Sequence, residues 1–138
     1  MTDRRALLPL LWVFVMFNYL YCDILGLMDP HLLAQYLAGT VSGLQVTPEF
    51  LLGASLLMEI PMAMVLVSRL LGRGPNRWAN IVAGTLMTAV QVATLFVGAS
   101  TTYYLFFSAI EITCTAAIVW LAWTWRPQPV AVTGQPAL

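Results

Sequence analysis

Three carboxylic acids, Asp23, Glu59 and Glu111, stand inside long apolar runs of a 138-residue chain. Hydrocarbon cannot solvate an ionised carboxylate, so acids at such depth are expensive and normally face a protein interior. Glu59 is near the middle of its run, Glu111 eight residues from the outer end of its own, and Asp23 five residues from the outer end of its own. All three fall between the midplane and one surface, and no arginine stands at that depth. Carboxyls that neighbour one another without a cation hold protons between them. A group poised in that way can carry a proton or exchange it for a cation. The plainer reading is structural: a protonated carboxyl donates a hydrogen bond that ties helices together.

Helical phase groups other polar residues with these acids, because residues three, four and seven apart share a face. Tyr104, Ser108, Glu111 and Thr115 form one stripe, and Asn80, Gly84, Met87, Gln91, Thr94 and Gly98 form another. Ser55, Glu59 and Met62 line up in a third run, and Asn18, Tyr19, Cys22 and Asp23 cover a broader face of the first. A bundle turning these sides inward brings Asp23, Glu59, Gln91 and Glu111 to overlapping depth. With Tyr104, Ser108 and Asn18 they are the candidate proton- or ligand-binding residues. Pro61 frees the carbonyl of Leu57 beside Glu59, which adds a polar notch. No metal or cofactor is expected. His31, the single histidine, follows Asp29-Pro30 as a solvated helix-start residue. The Glu-x-x-His pattern of di-iron bundles is missing, and zinc or haem would want more histidine. Cys22 and Cys114 read as small buried hydrophobes.

Four runs are long enough to position these groups across a bilayer, which takes about 20 apolar residues. They cover about 7–28, 50–71, 78–98 and 103–125. The first is too long and lacks the small-residue cleavage site of a signal peptide. Asp29-Pro30 ends it and starts a short helix over His31–Ala38. Thr47-Pro48-Glu49 reads as a helix start, and Gly72 to Asn76 as a tight turn. All six basic residues are arginines, Arg4, Arg5, Arg69, Arg73, Arg77 and Arg126, and all fall on one side or at its border. The positive-inside rule then makes both termini cytoplasmic. Trp12, Trp78, Trp120, Trp123 and Trp125 toward that side, and Tyr36, Tyr103 and Tyr104 at the other, read as interfacial anchors. Residues 1–126 are one domain, and the proline-bearing segment 127–138 reads as an unstructured tail.

Composition agrees. With 60% hydrophobic and 9% charged residues, the chain cannot cover a water-soluble surface, where about a quarter of residues are charged. The net charge is zero and no basic cluster could neutralise several phosphates, which excludes nucleic acid as a partner. The expected fold is all-α, a transmembrane four-helix bundle in the cell's inner membrane.

Glu59-Ile60-Pro61-Met62-Ala63-Met64, Asn76-Arg77-Trp78-Ala79-Asn80-Ile81 and the segment from Tyr103-Tyr104 to Glu111-Ile112 carry a resemblance. From about Asn18 to Trp125 the chain resembles a family of small four-span bacterial membrane proteins of unknown function. The resemblance implies a four-span layout complete in itself and transfers no catalytic or binding residue. The lysine-free, Ala/Leu/Val-rich composition fits a GC-rich bacterial source.

Three functional readings follow. The first is proton- or cation-linked transport, or binding of a small ligand, at Glu59 and Glu111, with Asp23 at the outer entrance. The second is a non-catalytic structural or assembly subunit of a membrane complex. The third is a lipid-modifying enzyme using Glu59 and Glu111 as acid and base. Membrane lipids are the expected surroundings. Four spans can enclose only a narrow pore, so a homo-oligomer or a larger complex is expected.

Overall fold

The computed structural model describes residues 3–126; the segment 127–138 lies outside them. Among the described residues the chain forms helices α1 (Arg4–Met28), α2 (Pro30–Leu37), α3 (Pro48–Leu70), α4 (Arg73–Thr94) and α5 (Thr102–Trp123), with a hairpin of β1 (Thr40–Val41) and β2 (Leu44–Gln45) between α2 and α3. The architecture is all-helical, as expected.

The helix starts follow from local chemistry. Asp3, Asp29, Thr47 and Thr101 each accept a hydrogen bond from a backbone N–H in the first turn of α1, α2, α3 and α5, which satisfies one of that turn's orphan donors. Pro30 and Pro48 occupy the first helical positions, where a missing N–H costs nothing. α4 starts at Arg73, earlier than the expected Trp78, and stops at Thr94 rather than Gly98. Pro75 is tolerated there because it lies within the first turn, and Gly98 leaves the helix with φ 72°.

The hairpin was not expected. Its Ser42-Gly43 turn has φ values of 48° and 81°, the two positive angles that a tight two-residue hairpin turn requires. Gln35 Oε1 accepts from Ser42 N at 3.0 Å and holds the non-glycine residue there. A Cβ on Gly98 would stand 2.8 Å from Ser42 Oγ, so the hairpin lies against the α4–α5 turn. Together α2 and the hairpin cover the end of the molecule opposite the start of α1.

The four long helices close a ring in which α1 packs on α3 and α5, and α4 packs on α3 and α5. The core stripe of α1 is Leu8, Trp12, Val15, Tyr19, Cys22 and Gly26, spaced alternately four and three. It meets Met64, Ala83, Met87, Cys114 and Ile118. Trp12 is fully buried, which corrects its reading as an interfacial anchor. Trp78, Trp120 and Trp123 are exposed, as anchors are.

Three helices, α1, α3 and α5, are long and apolar enough to cross a membrane, which marks the chain as a membrane protein. α4 falls short of that measure, because Arg73, Asn76, Arg77, Asn80 and Gln91 dilute its apolar residues.

The arginines collect at the end where α1 and α4 begin and α3 and α5 finish. Arg4 Nη1 donates to Leu121 O at 2.6 Å and Thr124 Oγ1 at 2.9 Å. Arg77 Nη2 donates to Trp123 O at 3.1 Å, and Arg5 Nη2 to Leu71 O at 3.2 Å. These carbonyls are the orphan acceptors of helix C-termini, which also attract positive charge. Arg4→Leu is expected to lower unfolding free energy by about 1–2 kcal/mol. Thermal unfolding in detergent micelles, with Arg69→Leu as the exposed control, checks this.

Candidate functional site

The polar stripes of α4 and α5 face each other and zip together. Gln91 Nε2 donates to Ser108 Oγ at 2.8 Å. Thr88 Oγ1 lies 2.7 Å from Thr115 Oγ1. The Tyr104 hydroxyl donates to Thr94 Oγ1 at 2.6 Å, and Thr94 Oγ1 in turn donates to Gln91 O at 2.8 Å. Gly84 makes this approach possible. A Cβ there would stand 2.8 Å from Val119 Cγ2 and 3.4 Å from Thr115 O, so only a residue without a side chain lets the helices meet so closely.

Glu111 sits in the middle of this seam, one turn from Ser108 and from Thr115. It is 2% exposed, yet its Oε1 finds no hydrogen-bond partner. Facing it, α1 contributes Tyr19 and Cys22, both within electrostatic reach of the Glu111 carboxyl. The Tyr19 hydroxyl is also buried without a partner, and so is that of Tyr103, which lies close to Gly26 of α1. The Glu111 carboxyl and the Tyr19 hydroxyl that faces it are thus both unsatisfied. Buried polar atoms are paired in the great majority of cases, so such a cluster calls for a water, an ion or a moving proton. No cation lies beside Glu111 among the described residues: the arginines are at the far end of the bundle.

The end opposite the arginines carries two further polar side chains. Asp23 on α1 is exposed there. Tyr36 on α2 stands over the same end. Partial burial of its hydroxyl, and second the charge of Asp23, push Tyr36 above the ordinary tyrosine range.

Of the seven residues singled out from sequence, Glu111, Gln91, Ser108 and Tyr104 come together. Asp23 lies apart from them on α1, toward the end opposite the arginines. Asn18 does not join: its Nδ2 donates to Phe14 O at 2.8 Å within its own helix. Glu59 does not join either. The inward face of α3 is Pro61, Met64 and Ser68, and Glu59 is exposed on another side. Tyr19 and Tyr103 were not among the seven. The alternation of four and three along α1 could have found Tyr19; Tyr103 reads as an interfacial aromatic until its burial is seen.

A second buried polar cluster lies toward the arginine end. Asn80, Asn76 and Ser68 are all fully buried. Asn80 Oδ1 accepts from Trp12 Nε1 at 2.7 Å, and Asn80 Nδ2 donates to Asn76 Oδ1 at 2.7 Å and to Ser68 Oγ at 3.1 Å. Asn76 Nδ2 donates to Ser68 O at 2.7 Å. Here every amide is matched, which is the signature of a structural knot. The contrast with the unmatched Glu111 seam separates scaffold from candidate site.

Among the described residues, no group of three His, Cys, Asp or Glu side chains converges to hold a metal ion. Two shallow apolar grooves run between α4 and α5 and between α1 and α5; no carboxyl lines either.

No curated protein matches the chain, and no solved structure does. One family model, described as a family of unknown function (DUF6326), matches residues 1–132, so the chain belongs to that family.

Proposed function

We propose that the chain is a small multi-pass protein of the inner membrane that binds and exchanges a proton or a small cation at Glu111. In this reading both termini lie on the cytoplasmic side, where the arginines collect. α4 is the fourth span. Its polar residues Asn76, Asn80 and Gln91 are turned inward, while Trp78, Val82, Leu86 and Val92 are exposed, a pattern that suits lipid on the outside. Gln91, Ser108 and Tyr19 line the seam beside the carboxyl, and Asp23 and Tyr36 form its outer approach.

The observation that carries this reading is a carboxyl 2% exposed, with an unpartnered oxygen and no counter-charge at its depth. Such groups in membrane segments mark proton and ion pathways. The test is flux across vesicles holding the purified protein and a pH-sensitive dye, driven by a potassium diffusion potential, with sodium or potassium as the exchanging ion. Wild-type vesicles are expected to conduct, and Glu111→Gln to fall to the level of empty vesicles. Glu59→Gln, whose site is on another face, is expected to conduct. Undiminished flux in Glu111→Gln rejects the proposal.

A second reading, an assembly subunit of a larger membrane complex, draws support from α3. Residues 48–56 are all exposed, so the first part of that helix has little cover within the chain, while Leu57, Met58 and Ile60 pack against the core. Stable co-purification of other membrane proteins in mild detergent is the expected outcome of that reading; a chain that purifies alone in a defined state contradicts it.

A further inference from the structure

Glu59 is the acid that the Glu111 seam does not use. It is the midpoint of α3, eleven residues from Pro48 and eleven from Leu70. Each helix end is therefore about 16 Å away along the axis. A glutamate side chain is too short to bring its head to either surface, so snorkelling does not relieve it. The face on which it stands is otherwise apolar: Leu56, Met62 and Leu66 are 63%, 43% and 64% exposed. Ser55, one turn earlier, has its hydroxyl engaged with Leu51 O at 2.8 Å. Lipid tails offer Glu59 neither a donor nor an acceptor.

Whatever covers this face must therefore present a hydrogen-bonding group at mid-depth within an apolar helix surface. A second copy of this chain does so by symmetry. Two copies inserted in the same orientation are related by a two-fold axis along the membrane normal, and a residue near that axis meets its own counterpart. Two carboxyls meeting in hydrocarbon can share their protons and so leave no charge exposed to lipid. We propose that α3 is a homodimer interface in which Glu59 pairs with Glu59 of the second copy, with Leu56, Met62 and Leu66 packing around them. This proposal does not depend on the role of Glu111.

The test is single-molecule photobleaching of fluorescently labelled protein in lipid vesicles over a range of protein-to-lipid ratios. Wild type is expected to bleach in two steps at ratios where Glu59→Leu bleaches in one. The association constant is expected to fall about tenfold, the size of one interhelical hydrogen-bonded pair. Glu59→Gln, whose amide can both donate and accept, is expected to retain dimers. Should Glu59→Leu not accumulate, cysteine cross-linking in a Cys22→Ala, Cys114→Ala background serves instead. Leu56→Cys and Met62→Cys are expected to cross-link, and Phe106→Cys on α5 is not. A monomeric wild type, a Glu59→Leu protein that dimerises as wild type does, or cross-links through Phe106→Cys rather than α3, would each overturn the proposal.

Discussion

Asn80→Leu is expected to cost about 3–5 kcal/mol of folding stability, the largest loss of any single change at a polar residue in this chain. The substitution removes the acceptor of Trp12 Nε1 and the donor that reaches Asn76 Oδ1 and Ser68 Oγ. All four residues are fully buried, so no water can replace what is lost. They come from α1, α3 and α4, and one side chain therefore holds three helices in register. Asn80→Asp should fail almost as badly, because a carboxylate cannot donate to Asn76 and brings an unpaired charge. The control is Asn18→Leu, whose amide bonds only within α1 and whose loss should stay within about 0.5 kcal/mol. Thermal unfolding of the purified variants in lipid nanodiscs measures all three.

Gly84→Leu should be nearly as damaging, by about 3 kcal/mol, for an opposite reason. Here the fault is excess volume. Even a single added carbon would stand 2.8 Å from Val119 Cγ2, and four would force α4 from α5. The Gln91–Ser108 and Thr88–Thr115 contacts would part with it. Gly84→Ala should cost less, about 1 kcal/mol, since the overlap is partly offset by alanine's better helix propensity. Adding Val119→Ala to Gly84→Ala should recover most of that loss. A full recovery identifies the contact; no recovery places the strain elsewhere.

What the sequence disclosed and what it concealed have physical causes. Helix boundaries were readable where a capping side chain or a proline marks them, as at Asp29-Pro30 and Thr47-Pro48. The start of α4 was harder, because Gly72 lends no side chain and Pro75 looks like a breaker although it lies in the first turn. The hairpin was concealed because strands of two residues carry no periodicity. The seam of Glu111, Gln91, Ser108 and Tyr104 was readable because α4 and α5 each have one polar stripe. α3 is apolar nearly all round, so phase alone cannot say which side turns inward. Pro61, Met64 and Ser68 took that place, and Glu59 was left outside. Trp12 looked like an anchor by depth; its burial depends on Asn80, a partner 68 residues away.

In the proposed function, Glu111 is kept for what it does and not for what it holds together. A buried acid without a satisfying partner destabilises the fold around it. Methionine fills similar space with nothing to satisfy. The decisive measurement is the unfolding free energy of Glu111→Met against wild type in nanodiscs, paired with vesicle flux. The variant is expected to be as stable as wild type or more stable, by up to about 2 kcal/mol, and to conduct nothing. A variant destabilised by about 2 kcal/mol or more would show the carboxyl to be a structural tie, and the functional reading would fall with it.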